Sequence, residues 1–287
     1  MTVVVDAHHH LWDPANRAYP WMSAAKLDPI RRRYDVADLR RHTTRAGIDA
    51  TVLVQTVSHV SETIEFLDAA DDSAGLIAGV IGWVDLTAPD VGDVLAALTG
   101  RTGGHRLVGV RHQVEDEPDP LWLRRDDVGR GLAAVADAGL AYDLLVPAGG
   151  LAAATTTVAD HPALQFALDH AAKPAIAQRD LGAWRREIAE LTRCENVTVK
   201  LSGLVTEADW RTWSTDDLRP VADHLLATFG PARIMFGSDW PVCELAASYE
   251  AVTQAAHDLV GGLNQSERDQ IFGGTACRVY RLPVSSA

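Results

Sequence analysis

A chain of 287 residues, 47% hydrophobic and 23% charged, has the composition of an ordinary globular protein with a sizeable core, in one large domain or two small ones. Its net charge of -13 argues against nucleic acid or an anionic membrane surface as a partner, because nothing offsets phosphate repulsion. Cys194, Cys243 and Cys277 are widely spaced and form no CxxC pattern, which fits buried thiols better than a disulfide framework or a zinc finger. The first residues have neither the basic nor the apolar region of a signal peptide, and no apolar run approaches the roughly 18 residues of a membrane span, so a cytoplasmic protein is expected.

In chain order, one unit recurs. Residues 3–5 form a short apolar run that leads into His8, His9 and His10. A long irregular segment, 12–33, follows with Pro14, Pro20 and Pro29 and the aromatics Tyr19 and Trp21. A loop of that length in a compact domain reads as a lid or as a surface wrap packed by its own aromatics. Residues 36–46 read as a helix with Gly47 as its C-cap. Further strands are expected at 51–54, ending in Gln55; at 76–84, with Trp83 near its end; and at 107–110, ending in Arg111, His112 and Gln113. After an acidic loop, 115–119, and a helix at 128–138, strands are expected at 141–146 and at 164–168, the latter ending in Asp169 and His170. The last two, 197–200 and 234–236, end in Lys200 and just before Asp239. Helices are expected at 62–70, 184–192 and 218–229, and a capping box of Ser266 with Asp269 opens a final one.

Eight short apolar strands alternating with helical stretches point to parallel βαβ units, and right-handed crossovers with a count of eight favour closure. The expected fold is an α/β class single (β/α)8 TIM barrel with a long loop after strand 1, spanning 1–287 as one domain. No linker, low-complexity run or composition break divides the chain.

Barrel closure would gather the polar strand ends on one rim. His8 and His10 are two apart on a strand, so they share a face and can meet one ion or one substrate. With His170 and Asp239 they form the borderline nitrogen and oxygen donor set of zinc, with an open position. Each has a plainer reading: a solvated loop entry for the His run, a satisfied core histidine for His170, a helix cap for Asp239. His9 should point the other way. Lys200 follows an alternating strand and should point inward, either to a substrate oxygen or into a buried ion pair with Asp239. Arg111 can fork onto a carboxylate or carbonyl, or close a salt bridge in the barrel wall. Gln55, Trp83, His112 and Trp240 complete the candidate substrate-binding set, the tryptophans as a stacking wall or as packing.

The motifs Asp6-Ala-His-His-His-Leu-Trp12, Gly109-Val-Arg-His112, Tyr142-Asp-Leu-Leu-Val146, Leu168-Asp-His-Ala-Ala-Lys-Pro174, Lys200-Leu-Ser-Gly203 and Phe236-Gly-Ser-Asp-Trp-Pro241 stand in order. Together they resemble the amidohydrolase superfamily, in the amidohydrolase-related branch of sugar-lactone hydrolases and relatives of 2-pyrone-4,6-dicarboxylate lactonase. The resemblance implies a (β/α)8 barrel that hydrolyses lactones, with His8, His10, His170 and Asp239 at the positions of its site histidines and acid. It also implies that no metal is strictly required, while one zinc or other divalent cation remains compatible with that set. The strand-four and strand-five residues that hold a second metal elsewhere in the superfamily are replaced here by Arg111 and by Val146-Pro147, against a binuclear site.

The expectation is a hydrolase that opens the ring ester of a sugar (aldono) lactone. Asp239 activates water, and His8, His10, His170, Lys200 or a single metal polarises the carbonyl. The alternatives are a 2-pyrone-4,6-dicarboxylate-type lactonase, a zinc-dependent non-oxidative decarboxylase of the same superfamily, and a barrel that binds a sugar acid without turnover. The expected partner is a small-molecule lactone, with homo-oligomerisation left open.

Overall fold

The computed structural model describes residues 3–283, so the extreme ends of the expected 1–287 unit lie outside the described residues. Eight parallel strands stand in chain order around one sheet: β1 (Val5–His9), β2 (Ala50–Val54), β3 (Ile77–Gly82), β4 (Leu107–Gln113), β5 (Ala141–Leu145), β6 (Phe166–Leu168), β7 (Val197–Leu201) and β8 (Ile234–Phe236). The chain beyond β8 returns to β1, where His10 N donates to the Trp240 carbonyl at 2.7 Å and Asp239 N to the His8 carbonyl at 2.8 Å. Those bonds make the sheet a (β/α)8 barrel.

The longer helices between the strands are α1 (Val36–Ala46), α2 (Val60–Asp72), α3 (Val91–Gly100), α4 (Asp126–Asp137), α5 (Leu151–Asp160) and α6 (Gly182–Leu191). They are followed by the single turn α7 (Leu204–Glu207), then α8 (Thr215–Phe229), α9 (Tyr249–Leu259), α10 (Gln265–Asp269) and α11 (Thr275–Tyr280). The expected helices do not include α3, α5 or α9. The run of α5 is rich in Ala and Thr with few large apolar residues, whereas α3 (Val91, Val94, Leu95, Leu98) and α9 (Tyr249, Val252, Ala256, Leu259) do carry an apolar stripe at helical spacing. The expected Ser266–Asp269 cap is corrected by two residues. Asn264 accepts from Glu267 N at 3.0 Å and Asn264 N donates to Glu267 Oε2 at 2.9 Å, so α10 opens earlier.

The core has two parts. Outward-facing strand residues such as Leu53, Val80, Leu144, Phe166 and Phe236 pack against the helices. The lower lumen is filled by Val5, Ala7, Val52, Val54, Ile81, Val108 and Met235, and Val279, Tyr280 and Leu282 at the chain's end close it from below. The barrel is therefore packed at its base, and only its C-terminal mouth is free for chemistry.

The segment after β1 folds into two 3-10 turns, Pro20–Ser23 and Ala25–Ile30. It is pinned at both ends. Trp12 and Tyr34 pair as an antiparallel bridge, and Trp12 Nε1 donates to the Ile30 carbonyl at 3.1 Å. Trp12 also meets Trp21 and Tyr34 edge to face, with ring centroids 5.4 Å apart in each pair. Trp21, Lys26 and Leu27 from this segment roof the barrel mouth.

Candidate active site

His8 and His10 share the lumen face and His9 turns away, as their spacing expects, but the alternation of β1 is broken just before them. Asp6 opposes Thr51 and His9 opposes Leu53, so three steps on β1 match two on β2. This bulge turns both Ala7 and His8 inward, keeps Asp6 and His9 outward, and returns His10 to the lumen. His9 accordingly binds the Thr51 hydroxyl at 2.9 Å behind the sheet. Asp6 ties β1 to β8 and α9 by accepting from Ser238 N and from the Tyr249 hydroxyl, each at 2.8 Å.

At the barrel mouth, Asp239 Oδ1 lies 3.5 Å from His10 Nε2, and 3.8 Å from both His8 Nε2 and His170 Nε2. All four side chains are buried, and three of them, His10, His170 and Asp239, face a cavity of about 500 Å³. Burial holds the imidazoles neutral, with His10 lowered to about 3, His170 to about 4 and His8 well below its ordinary value. The same burial pushes the Asp239 carboxyl up.

Backbone strain accompanies this cluster. His170, Ala171, Ala172 and Lys173 all adopt left-handed φ values between 49° and 59°, and Asp239 has φ 56°. Non-glycine residues take up that region at a cost of roughly 1–2 kcal/mol each, so surrounding packing must enforce it. Two glycines make the room. A Cβ on Gly203 would sit 2.6 Å from His170 Nδ1, and one on Gly237 would sit 2.7 Å from the His8 Cβ. The Lys-Leu-Ser-Gly and Phe-Gly-Ser-Asp motifs thus carry glycine where a histidine ring must approach the backbone.

Below this cluster lies a fully buried charge layer. Lys200 Nζ pairs with Asp143, with Asp169 Oδ1 at 3.0 Å and with His8 Nδ1 at 3.1 Å. Arg111 donates to Asp169 Oδ2 at 2.9 Å and to Gln55 Oε1 at 3.1 Å, and Tyr280 donates its hydroxyl proton to Asp143 Oδ1 at 2.8 Å. Although burial opposes ionisation of both acids, Lys200, His8 and Arg111 hold Asp169 well below the carboxylate range. Asp143, with Lys200 as its only cation, is raised to about 6 by burial. The expected alternative partner of Lys200, Asp239, is replaced by this pair of acids. Lys200 opposes Met235 in the β7–β8 register, a full layer beneath Asp239.

The expected substrate-binding residues divide. Arg111 lines the cavity. Gln55 is fully buried and serves to hold Arg111. His112, Trp83 and Trp240 are corrected to positions outside the cavity. Alternation on β4 sends His112 to the opposite face from Arg111, where it stacks on Trp122 at 4.2 Å and accepts from Trp83 Nε1 at 3.0 Å. Trp240 is fully buried against Tyr34 and donates to Glu244 Oε1 at 2.8 Å. The cavity walls come instead from Trp21, Lys26, Lys173, Thr206, Glu207 and Trp210. Of the residues that were missed, Asp143 and Asp169 had a signal. Each is an acid two positions after an inward alanine in an apolar strand, hence on the lumen face. Trp210 and Glu207 sit in or beside a single-turn helix and had none.

The donor set fits one divalent ion. Donor atoms of His8, His170 and Asp239 lie within 4.8 Å of one another, and His10 Nε2 lies 3.2 Å from His8 Nε2. The outer ring nitrogens are held by protein groups, His10 Nδ1 by the Val54 carbonyl at 2.8 Å and His170 Nδ1 by the Ser202 hydroxyl at 2.9 Å, which aims each Nε2 at Asp239. Neutral imidazoles and a carboxylate suit zinc. His8, Asp143 and Asp169 form a second group of donors, already filled by the Lys200 ammonium.

Known proteins match over nearly the whole chain. An L-fucono-1,5-lactonase of Burkholderia multivorans is 39% identical over 290 residues, covering 97% of this chain and 96% of the relative. A second L-fucono-1,5-lactonase, from Burkholderia ambifaria, is 34% identical, with 98% and 97% covered. A crystal structure of an amidohydrolase from Burkholderia multivorans with bound zinc superposes with a TM-score of 0.91 at 39% identity, over 98% of this chain and all of that one. A probable 2-pyrone-4,6-dicarboxylic acid hydrolase of Acinetobacter baumannii shares the fold, with a TM-score of 0.82 at 17% identity and 98% of this chain covered against 100% of that one. The sequence model of the amidohydrolase family matches residues 5–282, and the chain belongs to that family.

Proposed function

We propose that this protein is a lactonase that opens the ring ester of a sugar lactone, with L-fucono-1,5-lactone the first candidate. The observation that carries this reading is the Asp239 oxygen, surrounded by three buried imidazoles at the floor of a cavity of about 500 Å³. The similarity to two L-fucono-1,5-lactonases supports the substrate class.

In the proposed mechanism, water attacks the ring-ester carbonyl while Asp239 takes its proton. His170 faces the developing oxyanion, with Arg111 in the cavity wall supplying positive potential. When the tetrahedral intermediate collapses, the ring C–O bond breaks and Asp239 returns its proton to the leaving alkoxide. The new carboxylic acid ionises, so each turnover releases one proton to solution. A zinc ion held by His8, His10, His170 and Asp239 would polarise the carbonyl.

A dicarboxylate substrate would need several free cations, and most of the nearby ones are engaged, Lys26 in the cavity wall over the Trp210 ring being the exception. Arg111 is bound to Asp169, Lys173 to Glu115 and Arg32 to Glu244. That favours a neutral, hydroxyl-bearing lactone over a dicarboxylate pyrone. The further parts of the reading are a single domain over 1–287, a cytoplasmic setting and no nucleic-acid partner. Among the described residues no helix is long and apolar enough to cross a membrane.

The test is proton release in weakly buffered indicator solution over a panel of aldonolactones and the pyrone, with native protein, chelator-treated protein and Asp239→Asn run together. Acid release from an aldonolactone that vanishes in the folded variant supports the reading. Silence across the panel from folded protein overturns it.

A further inference from the structure

The hydrogen-bond directions around His8 assign its proton, and the assignment bears on how the site accepts a metal. A backbone carbonyl only accepts, so the 2.8 Å contact of His10 Nδ1 with the Val54 oxygen places the His10 proton on Nδ1. His10 Nε2 is then a bare lone pair, and it faces His8 Nε2 at 3.2 Å. On the other side of His8, Nδ1 faces Lys200 Nζ at 3.1 Å, and an ammonium only donates. Both contacts are satisfied by one tautomer of His8, with its lone pair on Nδ1 and its proton on Nε2. A directed chain results: Lys200 to His8, His8 to His10, His10 to the Val54 carbonyl.

The neighbouring groups bracket this assignment. Arg111 Nη1, another donor, lies 3.4 Å from His8 Nε2, farther than either contact in the chain. Asp169 Oδ1 lies 3.3 Å from His8 Nδ1 and 3.0 Å from Lys200 Nζ, so the carboxylate and the ammonium meet the same ring nitrogen. That oxygen is a second acceptor within reach of the nitrogen that is unprotonated in this tautomer.

A divalent ion held by His8 and His10 needs the Nε2 lone pair of both rings. In the chain described above, one of those positions carries a proton and the other is its acceptor. We propose that Lys200 and Asp169 are positioning residues that set His8 in one of two tautomers. Lys200 favours the Nε2–H form, which closes the chain through His10. Asp169 accepts the proton on Nδ1 when His8 Nε2 is required as a metal ligand. The proton count of His8 is the same in both forms; only its place changes. Loading the site therefore exchanges the Lys200–His8 hydrogen bond for one from His8 Nδ1 to Asp169 Oδ1. This assignment concerns the protein's own tautomers and does not depend on which lactone is hydrolysed.

Imidazole nitrogen NMR on protein labelled with ¹⁵N-histidine reads it directly, with the His8→Gln spectrum assigning the ring. Metal-free protein is expected to show His8 protonated on Nε2 and His10 on Nδ1. One equivalent of zinc chloride is expected to move the His8 proton to Nδ1 and leave that of His10 in place. In Lys200→Met, the metal-free His8 signal is expected to shift toward the Nδ1–H form, which a purely structural role for Lys200 would not produce. A His8 proton found on Nδ1 in metal-free native protein, or one that stays on Nε2 after zinc is added, overturns the proposal. Neither of those readings needs a variant to fold with Lys200 removed.

Discussion

Asp239 sits in conflict with its surroundings, since a buried carboxylate beside three imidazoles is disfavoured by desolvation and its pKa is raised accordingly. Replacing it with asparagine removes a charge that costs desolvation, so Asp239→Asn is expected to lower kcat by roughly 10²–10⁴-fold, the usual worth of a general base, with little loss of thermal stability. Initial rates and a melting curve on the same sample check both halves. Asp143 should behave in the opposite way. It shares the buried Lys200 ammonium with Asp169 and accepts from Tyr280. Asp143→Asn breaks a buried ion pair from one side, and about 3–5 kcal/mol of stability should be lost in denaturant unfolding. Glu62 gives a pH signature. Buried and accepting from Thr56 N at 2.7 Å and Val57 N at 3.0 Å, its carboxyl is raised above 4.5 by desolvation. The folded state therefore binds this proton more readily than the unfolded state. That contribution to stability is complete below the unfolded carboxylate range and is lost as pH rises through the folded value. The difference in unfolding free energy between native protein and Glu62→Gln should fall over that interval, as urea titrations at stepped pH would show.

At the scale of single elements, the β1 bulge and the strained turn after β6 place the histidines, and glycines just beyond β7 and β8 admit them. Gly203 combines φ +64° with a Cβ position 2.6 Å from the His170 ring, so a side chain there is opposed by conformation and by contact. Gly203→Ala is expected to cost about 1–3 kcal/mol by the usual scale of strain and overpacking, and to reduce turnover by pushing His170 away from Asp239. Chemical denaturation together with the His170 imidazole NMR signal would separate the two effects. The strands, their order and the inward set of His8, His10, Lys200 and Asp239 could be read from alternation and from strand ends. The helix α5 could not, because its alanines and threonines bury a face without an apolar period to announce it, whereas α3 and α9 carry such a period at Val91, Val94, Leu95 and Leu98 and at Tyr249, Val252, Ala256 and Leu259. His112 was misplaced for a related reason. A polar residue at a strand end has two faces open to it, and only the pairing with β5 shows which one Arg111 has taken.

For the molecule as a whole, the barrel is closed at its base by residues from its far end. Val279, Tyr280 and Leu282 pack into the lower lumen, and Tyr280 reaches up to Asp143 beneath the site. Burial of each such side chain is worth roughly 1.5–3 kcal/mol, so a chain ending before α11 is expected to lose cooperative unfolding, as circular dichroism on heating would reveal. The sequence by itself determined the count of strands, the barrel and the mouth where Asp239 and the histidines gather, since these follow from local periodicity and from acids and imidazoles placed at strand ends. Only the tertiary structure decided that a bulge interrupts β1 so that Ala7 and His8 both face inward, that Lys200 answers Asp143 and Asp169 rather than Asp239, and that Trp240 faces away from the cavity. Those outcomes depend on register and on pairings between residues far apart in the chain, where the energy of a buried charge is set by a neighbour that no local pattern names.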